Sequence, residues 1–204
     1  MKRLCAKEAL NLVPDEGIIG LGGGETIRYL AEFIKEAGKK VTVVTPSEAT
    51  REVCKMLELP VIETAQVSCV EIAFDGCDQV DRHLNAYKSG GGIHTLEKVI
   101  ARMSKEYVLL VDESKVVEKL GYDIPVVLDI VPEAVHYVTR QAQDLGGTVK
   151  IRDQHLLEVT FEQKPDLKML DQKLKEITGV IETSLFYQVA TKAVVAGIDG
   201  ITVL

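Results

Sequence analysis

The stretch Phe74–Glu97, FDGCDQVDRHLNAYKSGGGIHTLE, decides how this chain folds, because an apolar run ends in paired acids and then meets a lysine, a glycine run and a helix-borne glutamate. The run VEIAFD (70–75) reads as a buried strand, which puts Asp75 and Asp78 at its carboxyl end, where open α/β sheets place their ligand crevices. Chemistry on a small, oxygen-rich molecule needs a carboxylate to move protons, groups to fix hydroxyls, and a cation where negative charge develops. Asp75, Asp78, Lys88 and Glu97 supply all three. Each also has a plainer reading: a solvated acidic turn, a surface lysine, and a glutamate paired with Lys98 or Arg102.

Upstream, an amphipathic stretch to Val13 leads to GIIGLG (17–22), a short strand running into Gly22, Gly23 and Gly24. A helix then begins near Glu25, with Ile27, Leu30, Ala31 and Ile34 at helical spacing. VTVVT (41–45) is the next strand, and SEATREVCKML (47–57) opens with serine as a helix N-cap. Downstream, TLEKVIARM (95–103) is helical, and YVLLVD (107–112) is a strand closed by ESK, so Lys115 also stands at a strand's carboxyl end. This alternation implies a parallel sheet.

From Pro125 the texture changes. VVLDIV, a helix opened by Pro132 and stopped at Gly146 and Gly147, TVKIR, HLLEVTF, a helix over 166–177 and VIETSLF (180–186) give the order βαββαβ, the split ferredoxin-like unit. KAVVAG (192–197) and ITVL (201–204) suit strands returning to the first domain. The expectation is an α/β fold: a mostly parallel Rossmann-like sheet with helices on both faces, plus a small ferredoxin-like βαββαβ domain. Residues 1–124 and 187–204 form the former and residues 125–186 the latter.

Composition narrows the function. With 204 residues, 46% hydrophobic and 27% charged, the chain is ordinary globular protein. No apolar run approaches the roughly 18 residues of a membrane span, and charges interrupt MKRLCAKEALNLV too often for a signal peptide. A cytoplasmic protein with no membrane partner follows. Cys5, Cys54, Cys69 and Cys77 and the four scattered histidines show no zinc-like spacing, so free thiols and no metal are expected. A formal charge of -7 without a basic block argues against nucleic acid.

The segment IGLGGGET (19–26) adds an anion site, since glycines let backbone amides approach a ligand and the following helix N-terminus points N–H groups at it. A dinucleotide fingerprint would want G-x-G-x-x-G, which this segment does not complete, and an acid after the second strand, where Thr45, Pro46 and Ser47 stand instead. Nicotinamide cofactors are therefore not expected. Thr26 either gives its hydroxyl to a phosphate or is an ordinary first-turn residue.

Taken in order, IGLGGGET, PSEATRE, FDGCD, KSGGGIHTLEK and VDESK resemble the ribose-5-phosphate isomerase A family over nearly the whole chain. The resemblance implies interconversion of ribose 5-phosphate and ribulose 5-phosphate, an aldose-ketose isomerisation of the pentose phosphate pathway through an enediolate, without cofactor or metal. It implies catalytic roles for Asp75, Asp78, Lys88 and Glu97, with Glu97 as the base and Lys88 stabilising the enediolate. It implies sugar-phosphate contacts from Gly23, Gly24, Glu25, Thr26, Gly76, Cys77, Ser89, Gly90, Gly91 and Lys115. Family habit and exposed strand edges imply a homodimer or homotetramer. The chain departs from the family at Gly23 and Glu25, where hydroxyl residues are usual, at Leu96, where arginine is usual, and in a shortened KIRDQHLL hairpin. Glu25 is expected to turn its charge away from the phosphate. The alternatives are a sugar-phosphate-sensing effector domain, or an isomerase or deaminase acting on another sugar phosphate.

Overall fold

The computed structural model describes residues 1–162 and 166–204. In chain order the first half contains α1 (Lys2–Ala9), β1 (Glu16–Leu21), α2 (Glu25–Glu36), β2 (Lys40–Val44), α3 (Glu48–Met56), β3 (Val70–Asp75), β4 (Gln79–Asp81), β5 (Ala86–Tyr87), α4 (His94–Met103) and β6 (Ser104–Asp112). The second half contains β7 (Val116–Val117), β8 (Val126–Ile130), α5 (Val135–Asp144), β9 (Gly147–Ile151), β10 (Leu156–Phe161), α6 (Leu167–Lys175), β11 (Val180–Thr183), β12 (Leu185–Phe186), β13 (Lys192–Gly197) and β14 (Gly200–Val203).

Six strands form the main sheet in the order β14-β13-β6-β3-β1-β2, parallel throughout except for β14. The chain leaves β1 in one direction to make β2 and in the other to make β3. That reversal opens a crevice beyond the carboxyl ends of β1 and β3. Alternation fixes the faces: Val108 and Leu110 of β6 pack with α1, α2 and α3, while Tyr107, Leu109 and Val111 pack toward α4. On α2, the predicted stripe Ile27, Leu30, Ala31 and Ile34 is fully buried, at about 1.5–3 kcal/mol for each large side chain as an upper figure. Ser47 caps α3 as expected, accepting from the Thr50 N–H at 3.3 Å. Among the described residues, no helix is long and apolar enough to cross a membrane.

The second sheet, β11-β8-β10-β9, is antiparallel, and α5 and α6 pack on it as the βαββαβ order requires. One expectation needs correction. VIETSLF is not a single strand: it breaks at Ser184, so β11 stays in this sheet while β12 crosses to a third one, ordered β12-β5-β4-β7. Ser184 is the cause, since its N–H donates to Val127 O at 2.8 Å while its carbonyl accepts from the Lys88 N–H at 2.9 Å. That third sheet and α4 together cover the second face of the main sheet, which is thus only partly helical.

Candidate active site

Asp75 ends β3, and four donors fix its carboxylate. Oδ1 accepts from the Gly23 N–H at 3.3 Å and the Gly76 N–H at 2.8 Å; Oδ2 accepts from the Tyr107 hydroxyl at 3.0 Å and lies 2.9 Å from Lys88 Nζ. Lys88 Nζ lies a further 3.2 Å from Glu97 Oε1 and donates to Gly76 O at 2.5 Å. Lys88, Asp75 and Glu97 are 7%, 3% and 7% exposed, so these three charges meet almost without water.

Burial opposes the Lys88 ammonium, yet the facing carboxylates of Asp75 and Glu97 outweigh it and hold its pKa above the ordinary value. For Glu97, burial and then the Asp75 charge outweigh the pull of Lys88 and raise its carboxyl to about 8. A glutamate tuned this way takes up and returns a proton near neutral pH.

The geometry leaves no slack behind Asp75. A Cβ added at Gly22 would sit 2.0 Å from Asp75 Oδ1, so only glycine allows β1 to end beside β3. Gly22→Ala is expected to displace the carboxylate and cost about 1–3 kcal/mol of stability. Urea denaturation checks this, and an unchanged midpoint would show that Asp75 has room to move.

These groups form the floor of a cleft of about 570 Å³. Gly23, Gly24, Gly76, Cys77, Asp78, Gly90, Gly91 and Lys115 line it with them. Asp78 Oδ2 accepts from the Ser89 N–H at 2.6 Å and the Gly90 N–H at 3.0 Å, which folds the glycine run back over the site. Lys115 donates to Cys77 O at 2.7 Å. Burial pushes the Cys77 thiol up to about 12, so it lines the cleft in its protonated form.

Three of the sequence-predicted residues stand outside that lining: Glu25, Thr26 and Ser89. The Ser89 hydroxyl donates to Pro125 O at 2.6 Å and meets Ser184 Oγ at 2.9 Å. Glu25 turns outward, 2.7 Å from Lys2 Nζ and accepting from the Tyr29 hydroxyl at 3.0 Å; these contacts hold its carboxyl below the usual range.

The structure also brings in residues that sequence reading did not single out. Pro46, Ser47, Glu48 and Ile93 line the cleft. The start of α3 therefore faces it beside the start of α2, and two helix N-termini converge where an anion is favoured. That was legible in principle, because Ser47 follows the carboxyl end of β2. Tyr107 was not: it opens an apolar run and looks like core. Arg152 reaches across from the second sheet, its guanidinium donating to Ser89 O at 2.9 Å and Gly90 O at 3.2 Å.

Residues 42–200 match the family described as ribose 5-phosphate isomerase A (phosphoriboisomerase A). Ribose-5-phosphate isomerase A of Streptococcus pneumoniae (strain Hungary19A-6) is 33% identical over 220 residues, covering 100% of this chain and 96% of the relative. Among solved structures, ribose 5 phosphate isomerase A from Neisseria gonorrhoeae superposes with a TM-score of 0.93 at 30% identity, over 100% of this chain and 95% of that one. A D-ribose-5-phosphate isomerase in complex with phospho-erythronic acid gives 0.91 at 26% identity, over 100% and 96%.

Proposed function

The chain belongs to the ribose 5-phosphate isomerase A family, and from that premise we propose how its own residues carry out the interconversion of D-ribose 5-phosphate and D-ribulose 5-phosphate. The observation that carries the reading is Lys88 held between Asp75 and Glu97 on the floor of the cleft. Glu97 takes the proton from the second carbon of the open-chain aldose and returns it to the first. The intermediate is an enediolate. Lys88 stabilises its oxygens, and the burial of the ammonium strengthens that attraction.

Asp75 has all four of its hydrogen-bonding directions occupied by protein donors, so it serves chiefly to hold Lys88 in place. Asp78 spends one oxygen on the glycine run and offers the other to sugar hydroxyls, where it also assists ring opening. The phosphate lies against the converging starts of α2 and α3, held by the amides after Gly23 and by Lys115, while Thr26 stands outside the lining. This division assigns charge stabilisation to a lysine and calls for no metal or organic cofactor. Residues 1–124 with 187–204 make up the catalytic unit and residues 125–186 the ferredoxin-like one, except that β12 at the end of the latter pairs with β5 of the former. Four free thiols support a cytoplasmic protein, and the outer edge of β9 supports a homodimer or homotetramer.

The test is direct. Purified protein is incubated with ribose 5-phosphate, and formation of ribulose 5-phosphate is followed. Failure to convert it, together with turnover or ammonia release from another sugar phosphate, would overturn the reading. Because Glu25 faces Lys2 and Tyr29, Glu25→Ser is expected to change KM for ribose 5-phosphate by no more than a few-fold. An improvement of a hundredfold would mean that its charge repels the phosphate after all.

A further inference from the structure

Glu97 and Lys98 are neighbours on α4, roughly 100° apart around the helix, so when Glu97 faces the cleft Lys98 faces the seam with the second sheet. Lys98 is 5% exposed, an unusual fate for a lysine on an amphipathic helix. An ammonium has three protons to give. Lys98 Nζ donates to Glu182 Oε1 at 2.9 Å, Thr183 O at 2.7 Å and Leu185 O at 2.9 Å, which accounts for all three.

The segment it grips also carries the other half of the site. Ser184 O accepts from the Lys88 N–H at 2.9 Å, and Phe186 lies 5.9 Å from Lys88 Nζ and 4.9 Å from Lys98 Nζ. The Phe186 ring stacks on Tyr107 at 5.9 Å, and Tyr107 is the residue whose hydroxyl donates to Asp75. Two further contacts fasten the same turn of α4: Thr95 Oγ1 donates to Asp129 Oδ2 at 2.6 Å, and His94 Nε2 lies 3.4 Å from Glu182 O. Glu97 and Lys88 come from different elements, and residues 182–186 are where those elements are fastened together.

We propose that Lys98 is a positioning residue for the isomerisation, clamping α4 to residues 182–186 so that the Glu97 carboxylate is held at its working distance from Lys88. The inference rests on the reading of Glu97 as the base. A shift of about 1 Å in a reacting group is enough to cost on the order of a hundredfold in rate. Glu182 does not depend on Lys98 alone, since Lys175 Nζ lies 2.8 Å from the same oxygen.

The test uses the full chain at a temperature where each variant is folded by circular dichroism. Lys98→Met keeps the stem and removes the donors; kcat is expected to fall by about 10- to 100-fold with KM within threefold. Glu182→Gln lowers the melting temperature but leaves both backbone carbonyl bonds of Lys98 in place, so its kcat is expected to stay within about twofold of wild type. Lys98→Arg retains the charge but presents a planar fork that cannot meet the same three acceptors, and is expected to fall between. Wild-type kcat in Lys98→Met, or a rise in KM at constant kcat, overturns the proposal. If Lys98→Met does not fold, Lys98→Arg decides: reduced kcat at unchanged KM supports the clamp and wild-type kcat overturns it. Glu97→Gln separates the two claims, because an inactive Glu97→Gln beside a fully active Lys98→Met leaves the base assigned and removes only the clamp.

Discussion

Glu97→Gln is expected to lower kcat by ~10²- to 10⁴-fold while leaving KM for ribose 5-phosphate nearly unchanged, because the amide preserves shape and removes the carboxylate proposed to carry the proton. The pH profile gives an independent reading. Glu97 must be ionised to act as a base, and burial with the Asp75 charge raises its carboxyl to about 8. The sign follows: kcat/KM of the wild type should rise with pH through an acid limb near 8, far above the range of an exposed glutamate. In Glu97→Gln the residual activity should lose that limb. Stopped assays from pH 5.5 to 9.5 would show both effects. Turnover close to wild type in the variant would remove Glu97 from the chemistry.

Lys88→Met should damage both activity and folding. Its ammonium lies 2.9 Å from Asp75 and 3.2 Å from Glu97, and all three side chains are under a tenth exposed. Removing the cation leaves two carboxylates facing each other without water, and breaking a buried pair in this way costs about 3–5 kcal/mol. The cost depends on pH in a definite direction. Lys88 is what opposes the rise in the Glu97 pKa, so without it that carboxyl climbs further above its unfolded value. A raised folded-state pKa gives stability that is present at low pH and lost as pH rises through it, so the deficit should shrink on acidification from pH 8 toward 5. Turnover should fall sharply, and affinity for an enediolate mimic such as 4-phosphoerythronate should fall with it. Equal affinity of the two proteins for the mimic would remove Lys88 from charge stabilisation.

Much of the architecture could be read from residues because it rests on strong local patterns. The stripe on α2, the apolar runs of β3 and β6, and the glycine stops around α5 each announce their element and were found in place. What escaped has a common physical cause. The third sheet is built from strands as short as two residues, and two residues carry no period. VIETSLF looks continuous because Val180, Ile181, Thr183 and Phe186 favour a strand, yet the chain changes sheets at Ser184 for reasons held in Val127 and Lys88, more than fifty residues away. Tyr107 and Lys98 were hidden by their type: a tyrosine in an apolar run reads as core, and a lysine on a helix reads as surface. Asp75, Lys88 and Glu97 each had a plainer reading when taken alone; the order of five motifs singled them out together, and the fold gathers them on the floor of one cleft.

The main sheet is finished by residues 192–203, with β13 beside β6 and the Cys5 thiol of α1 directed at Val194 O across 189 residues of sequence. A nascent chain that has just completed β6 must therefore wait while the 79 residues from 113 to 191 are made, roughly 4–16 s at ordinary rates of synthesis. Throughout that interval β6 presents an unpaired edge carrying Tyr107, Val108, Leu109, Leu110 and Val111, an apolar template for any neighbouring chain in the same condition. The cluster of Asp75, Lys88 and Glu97 has by then been translated, but the scaffold that seals it has not. For this topology the hazardous moment comes during translation, when a second ribosome on the same message holds an identical bare edge close by.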